Sequence, residues 1–209
     1  MAPSSIQLTL VNQSEEEDDA NVVLVTENFA PGYEATPLAW RVIQNLGRGD
    51  THPFTFPLAF TIGAQDSWGN DTPQQTAMEG QAFDMVQAAS GDELQLSGTP
   101  AKSEKEIVLR NKLPKGAVTA NLFRDGLLTS TVTNLAPGQD GAFSMKPEFR
   151  IGVIRNVTEG TTLSGAELDE IPTRIMLLGI LSADIVWQGG GTGPDAKPYT
   201  FKLENVINA

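Results

Sequence analysis

Histidine is the side chain that most readily moves a proton or holds a transition metal near neutral pH, and His52 is the only one in this 209-residue chain. It precedes Pro53, a setting that predicts a turn residue at a strand start rather than a ligand. A single histidine excludes, within one chain, a three-histidine zinc site and a two-histidine-one-carboxylate iron site. A serine triad would have only His52 as its base, and no Gly-x-Ser-x-Gly elbow presents a nucleophile. The chain has no cysteine, hence no thiol nucleophile, thiolate metal site or disulfide. Gly189-Gly190-Gly191-Thr192-Gly193-Pro194 lacks the lysine and the strand-loop-helix setting of a phosphate-binding loop, and predicts a flexible connection between the last two strands. Paired carboxylates could hydrolyse glycosides without histidine, but none of the 26 acids stands out as a pair. The sequence therefore nominates no catalytic residue, cofactor or metal.

Asp66-Ser67-Trp68-Gly69-Asn70-Asp71 is the segment best suited to binding. A tryptophan among small polar residues can offer a stacking face to a sugar ring, while Asp66, Asn70 and Asp71 supply hydrogen bonds. The plainer expectation is that Trp68 folds back as a lid on the end of the domain. Neither this segment nor Glu15 to Asp19 matches the ligand spacing of a calcium loop. Arg48-Gly49-Asp50 spells an adhesion tripeptide, and nothing in its context gives it a function.

The elements that must carry these residues are strands. Ile6 to Leu10 alternates, Asn21 to Thr26 is a continuous buried-type run, and Leu38 to Gln44 and Phe54 to Ile62 follow. In the fourth run Phe54, Phe56, Leu58, Phe60 and Ile62 share one face, and Pro57 predicts an edge or a bulge. Further strands are expected at 81–88, 93–96, 106–110, 118–123, 127–133, 142–154, 174–181, 184–187 and 199–203, with Asp125-Gly126 as a hairpin turn. Ser164 to Ile171 alone invites a helix, with Glu167 at the capping-box position. The fold class is all-β.

The two halves of the chain match at a constant offset of 89: Asn45, Leu46, Gly49, Phe54, Phe60, Ile62 and Gly63 recur as Asn134, Leu135, Gly138, Phe143, Phe149, Ile151 and Gly152. Leu8, Leu10 and Asn12 correspond to Ile107, Leu109 and Asn111, and Ser90-Gly91-Asp92 to Ser182-Ala183-Asp184. The expected architecture is a duplicated, antiparallel β-sandwich, either jelly-roll-like or two packed sandwiches, divided into 1–100 and 101–209 near Pro100 to Glu106. The strand face formed by Thr55, Pro57, Ala59 and Thr61 carries no charge, unlike its copy Ser144, Lys146, Glu148 and Arg150. Thr55, Ala59 and Thr61 are therefore the expected interface residues.

Charge narrows the partners. The net charge is −12, and the first 100 residues hold 14 acids against Arg41 and Arg48 alone. Such a surface disfavours nucleic acid and anionic membranes. Five adjacent carboxylates predict a solvated loop over Ser14 to Asp19. An acidic half and a lysine-bearing half would suit head-to-tail contacts between copies. No signal-peptide run is present and no stretch approaches the roughly 18 apolar residues of a membrane span, which predicts a cytoplasmic protein.

Trp40-Arg41-Val42-Ile43-Gln44-Asn45, His52-Pro53-Phe54-Thr55-Phe56-Pro57, Asp66-Ser67-Trp68-Gly69-Asn70 and Ser182-Ala183-Asp184-Ile185-Val186 resemble segments of a group of uncharacterised bacterial acidic all-β proteins. The resemblance spans most of the chain and carries no established function. A ring-opening dioxygenase label attached to some of that group conflicts with the single histidine here. The expectation is a non-catalytic structural or interaction protein that self-associates into a homo-oligomer or larger assembly. The alternatives are a lectin-like module binding a small ligand or glycan around Trp68, and then a carboxylate-based hydrolase.

Overall fold

The computed structural model describes residues 4–16, 20–33 and 37–209, and it is all-β. The first eight strands are β1 (Ser5–Asn12), β2 (Asn21–Thr26), β3 (Leu38–Ile43), β4 (Thr51–Pro57), β5 (Phe60–Gln65), β6 (Gln75–Ala77), β7 (Ala82–Ala88) and β8 (Gly91–Leu96). The next eight are β9 (Ile107–Asn111), β10 (Val118–Arg124), β11 (Leu127–Leu135), β12 (Asp140–Phe143), β13 (Glu148–Ile154), β14 (Thr173–Met176), β15 (Ile180–Gly190) and β16 (Lys197–Asn208). The single α-helix among the described residues, α1 (Gly165–Asp169), starts with the expected capping box between Ser164 and Glu167. Asp125 and Gly126, both at positive φ, turn β10 into β11 as the sequence predicts.

The strands form two compact units, each with two four-stranded sheets. Unit 1 comprises residues 1–26, 37–58 and 147–209, and unit 2 comprises 27–36 and 59–146. In unit 1 the sheet orders are β16-β15-β1-β4 and β14-β13-β2-β3. In unit 2 they are β8-β7-β9-β12 and β6-β5-β10-β11. Replacing each strand of one repeat by its counterpart eight places along the chain converts the first pair of orders into the second. The duplication therefore extends to every strand.

Each unit takes its first four strands from one repeat and its last four from the other. Unit 1 joins β1–β4 to β13–β16, and unit 2 joins β9–β12 to β5–β8. The expected units 1–100 and 101–209 are the sequence repeats, and they are not the compact bodies. The chain changes unit after Leu58 and after Lys146, next to Pro57 and Pro147, and residues 27–36 between β2 and β3 also belong to unit 2. A residue that precedes proline is driven to extended backbone. Neither junction carries the Asn-Gly or Asp-Gly turn that would fold the strand back on itself.

This exchange corrects several expectations. The run Phe54 to Ile62 is one alternating pattern but two strands, with Phe54 and Phe56 buried in unit 1 and Phe60 and Ile62 in unit 2. Ala142 to Ile154 divides in the same way into β12 and β13. The charge asymmetry of the halves disappears in the units, which hold 14 acids and 7 bases against 12 and 7. Two pairings, β1 with β15 and β7 with β9, are parallel, because strands from different repeats need no hairpin between them. Arg174 to Leu181 is broken by the turn at Leu177 to Ile180. Ser90 to Asp92 sits in the β7–β8 hairpin while Ser182 to Asp184 lies within β15, so that part of the alignment was out of register.

Two buried asparagines hold the repeats in equivalent places. Asn12 Nδ2 donates to the Leu46 carbonyl at 2.7 Å, and its Oδ1 accepts from the Ser14 backbone N–H at 2.8 Å. Asn111 Nδ2 donates to the Leu135 carbonyl at 2.8 Å, and its Oδ1 accepts from the Leu113 N–H at 3.0 Å. Both ends of each amide are thus satisfied, which makes burying it tolerable. Asn45 and Asn134 both take positive φ beside these contacts. Ser14 is itself buried and Glu16 lies 3.6 Å from Arg155, so the described start of the acidic run is less solvated than expected. Residues 17–19 of that run lie outside the described residues.

Each unit has a sandwich core. In unit 2 Ile62, Ala120 and Leu122 from one sheet meet Phe83, Leu109 and Phe143 from the other in one cluster. In unit 1 the ring of Phe56 bridges the sheets, with centroids 5.4 Å from Trp40 and 5.8 Å from Phe149. Trp40 and Trp187 are both buried core residues.

Candidate functional site

Asp66 organises the loop between β5 and β6. Its Oδ1 accepts the backbone N–H groups of Trp68 at 2.8 Å and Asn70 at 2.9 Å, and its Oδ2 accepts Asn70 Nδ2 at 2.8 Å. The Asn70 side chain first, then its backbone N–H, hold the Asp66 carboxyl below the usual carboxylate range. Asp71 Oδ1 accepts Gln65 Nε2 at 3.2 Å and closes the base of the loop. Asp66 and Asn70, expected to meet a ligand, are therefore occupied in shaping the turn, while Asp71 has one carboxylate oxygen engaged by Gln65. Trp68 does not fold back as a lid: it is 88% exposed.

Beside this loop, the outer face of the β6-β5-β10-β11 sheet carries an open groove of about 350 Å³. Gly63, Gln65, Asp71, Thr72, Gln74, Asn121, Phe123 and Leu128 line it. Gly63 lies buried at its floor, where a Cβ would make only ordinary contacts, 3.4 Å from Phe123 and 3.7 Å from Gln74. Gln74 Oε1 accepts from Thr61 at 2.7 Å and Asn121 Oδ1 accepts from Thr131 at 2.9 Å. These contacts fix both amides and leave their NH2 groups without an intramolecular acceptor among the described residues.

The same face in unit 1 is closed. Val23, Val25, Gly152 and Ile154 hold the register positions that Asn121, Phe123, Gly63 and Gln65 hold in unit 2. They are covered by Val157, Leu163 and Ile171 from the connection that contains α1. A Cβ on Gly152 would lie 2.8 Å from both the Glu170 carbonyl oxygen and Ile171 Cα. One copy of this sheet face is thus filled by its own chain, and the other carries an open groove lined with amides.

The residues expected as an interface do not share one face. Thr55 is on edge strand β4 of unit 1, with its hydroxyl 3.3 Å from Gln7 Oε1, whereas exposed Ala59 and half-buried Thr61 belong to unit 2. His52 lies within β4 opposite Leu10, not in a turn. Gly189 and Gly190 end strand β15, and a Cβ on Gly189 would fall 2.2 Å from the Pro198 carbonyl oxygen, so close packing requires that glycine. A second groove, of about 490 Å³ between Gln13, Glu15, Gln188 and Lys197, has its two glutamines joined at 3.0 Å.

Sequence reasoning missed two further features. Asp84 is buried in unit 2 and accepts from Lys112 Nζ at 2.6 Å and Ser97 Oγ at 2.8 Å, a paired carboxylate tying β7 to its neighbours. An apolar surface at one end of unit 1 exposes Met176, Leu178, Leu181, Val206 and Ile207. It forms where Ile180 pairs with Asn208, Ser182 with Ile207, and the Ala209 N–H donates to the Gly179 carbonyl at 2.9 Å. Among the described residues no group of three or more acids and histidines could hold a metal ion, and no helix is long and apolar enough to cross a membrane. The chain matches no protein-family model, no curated protein and no solved structure.

Proposed function

We propose that this is a non-catalytic interaction protein that self-associates, with the exposed apolar end of unit 1 as its contact surface. The observation that carries this reading is the cluster of Met176, Leu178, Leu181, Val206 and Ile207, in which Leu178 is 80% exposed. No charged residue occurs within 175–183 or 205–209, the two stretches that build it. Depletion of charge is the compositional mark of an interface core, and large apolar side chains exposed on neighbouring segments call for a partner. Both units are net acidic, so copies of the chain repel at long range, and apolar burial must supply the attraction.

Light scattering coupled to size exclusion tests this directly. The expected mass exceeds that of one 22.4 kDa chain and persists at high salt, which screens charge but leaves apolar burial intact. The paired change Leu178→Lys with Ile207→Lys is expected to return a folded monomer with an unchanged circular-dichroism spectrum, because both side chains face solvent in the single chain. A monomer at every protein concentration overturns the reading. So does an oligomer that ignores the paired change.

A further inference from the structure

We infer that the open groove of unit 2 is a binding site for a neutral sugar, seated over Gly63 between Phe123 and the amides of Gln74 and Asn121. The inference rests on the groove alone and stands apart from self-association.

The contrast between the two copies carries it. Where unit 1 has Val23 and Val25 buried beneath a covering segment, unit 2 has Asn121 and Phe123 half-buried along the wall of an open groove. Losing the cover while keeping the valines would leave an apolar face in water, and the exchange to an amide and a ring suits an occupant that is both polar and stackable. The available groups alternate in kind. The amides of Asn121 and Gln74 donate, Gln65 Oε1 and the Asp71 carboxylate accept, and the Thr72 hydroxyl, which accepts from the Ala64 N–H at 2.9 Å, can donate. Donors and acceptors placed around an aromatic ring match the hydroxyl-rich edges and C–H faces of a pyranose.

Size and charge restrict the class. About 350 Å³ lies at the small end of ligand sites and suits one or two sugar rings. No Lys or Arg lines the groove and Asp71 does, so anionic sugars and phosphates are excluded. The bound side chains are already fixed by Thr61 and Thr131, which lowers the ordering cost of binding.

The test follows side-chain amide NMR signals of the full chain, assigned with Asn121→Ala and Gln74→Ala, during titration with neutral mono- and disaccharides and with glucuronate as the anionic control. Saturable shifts of the Asn121 and Gln74 amides are expected, with a dissociation constant on the order of 1 mM for the preferred sugar and no response to glucuronate. Phe123→Ala should weaken binding at least about tenfold, and Gly63→Val, which fills the floor, should abolish it. Melting curves check that each variant folds, and the exposed-face change Asn121→Ala keeps the test valid if Gly63→Val does not. Silence of both amides across the panel overturns the inference. Shifts confined to the Trp68 loop, or binding that survives Gly63→Val and Asn121→Ala, overturn it equally. The oligomeric state has no bearing on any of these readouts.

Discussion

Units 1 and 2 share a strand order, a buried asparagine, and even a slip in one ladder: the shift between Leu24 and Val25 against β3 recurs between Leu122 and Phe123 against β11. They differ on one outer sheet face. In unit 1 the β13–β14 connection, residues 155–172, packs Val157, Leu163 and Ile171 onto valines. In unit 2 the β5–β6 connection spans only 66–74, forms the Asp66 turn, and leaves an open groove between its own residues and Asn121 and Phe123. The inner faces had to stay apolar because both sheets depend on them for the core. The outer face was under no such demand, so loop length and two or three side chains sufficed to change its chemistry.

The sharpest way to break the equivalence is through the asparagines. Asn12→Ala strands the part-buried Leu46 carbonyl and the buried Ser14 N–H, Asn111→Ala strands the buried Leu135 carbonyl and Leu113 N–H, and each is expected to cost about 2 to 3 kcal/mol in denaturant unfolding. Losses differing by more than about 1 kcal/mol would show that the two amides are not doing the same job. The paired glycines come next and should diverge. Gly152→Ala pushes a Cβ into the backbone at Glu170 and Ile171, with an expected loss of about 2 kcal/mol, while Gly63→Ala should stay within about 0.5 kcal/mol. Equal losses would mean that the Gly63 face is covered after all.

The smallest effect concerns the loop that only unit 2 possesses. The Asp66 carboxyl is held below its ordinary value, so its stabilising contacts are complete above that ordinary value and are lost as pH falls through the lowered one. Carboxyl carbon shifts followed by NMR should show this low titration, and Asn70→Ala should move it back up toward the usual range. No change in Asn70→Ala would remove the Asn70 amide as the cause. At neutral pH the loop is expected to be indifferent to pH.

Much of this was legible in the residues because it is local. Period-two alternation marked β1 and β10, a continuous apolar run marked β2, Asp125-Gly126 marked a hairpin, and Ser164 with Glu167 marked the one α-helix among the described residues. The loop at Trp68 was legible as a loop, yet not which way its tryptophan faces, since that depends on what lies beneath. The groove was hidden because Gln65, Gln74 and Asn121 are ordinary outward polar residues one at a time. Aligning Val23 and Val25 with Asn121 and Phe123 would have exposed the contrast, but those strands share too few identities to be matched without the ladders.

The sequence by itself determined the class, the strand content, the duplication and the lack of a histidine or cysteine constellation, all of which follow from residue type and short-range period. Only the tertiary structure decided which repeat completes which sandwich. That choice joins strands of different repeats, β1 to β15 and β7 to β9 among them, and residue type and short-range period do not encode it.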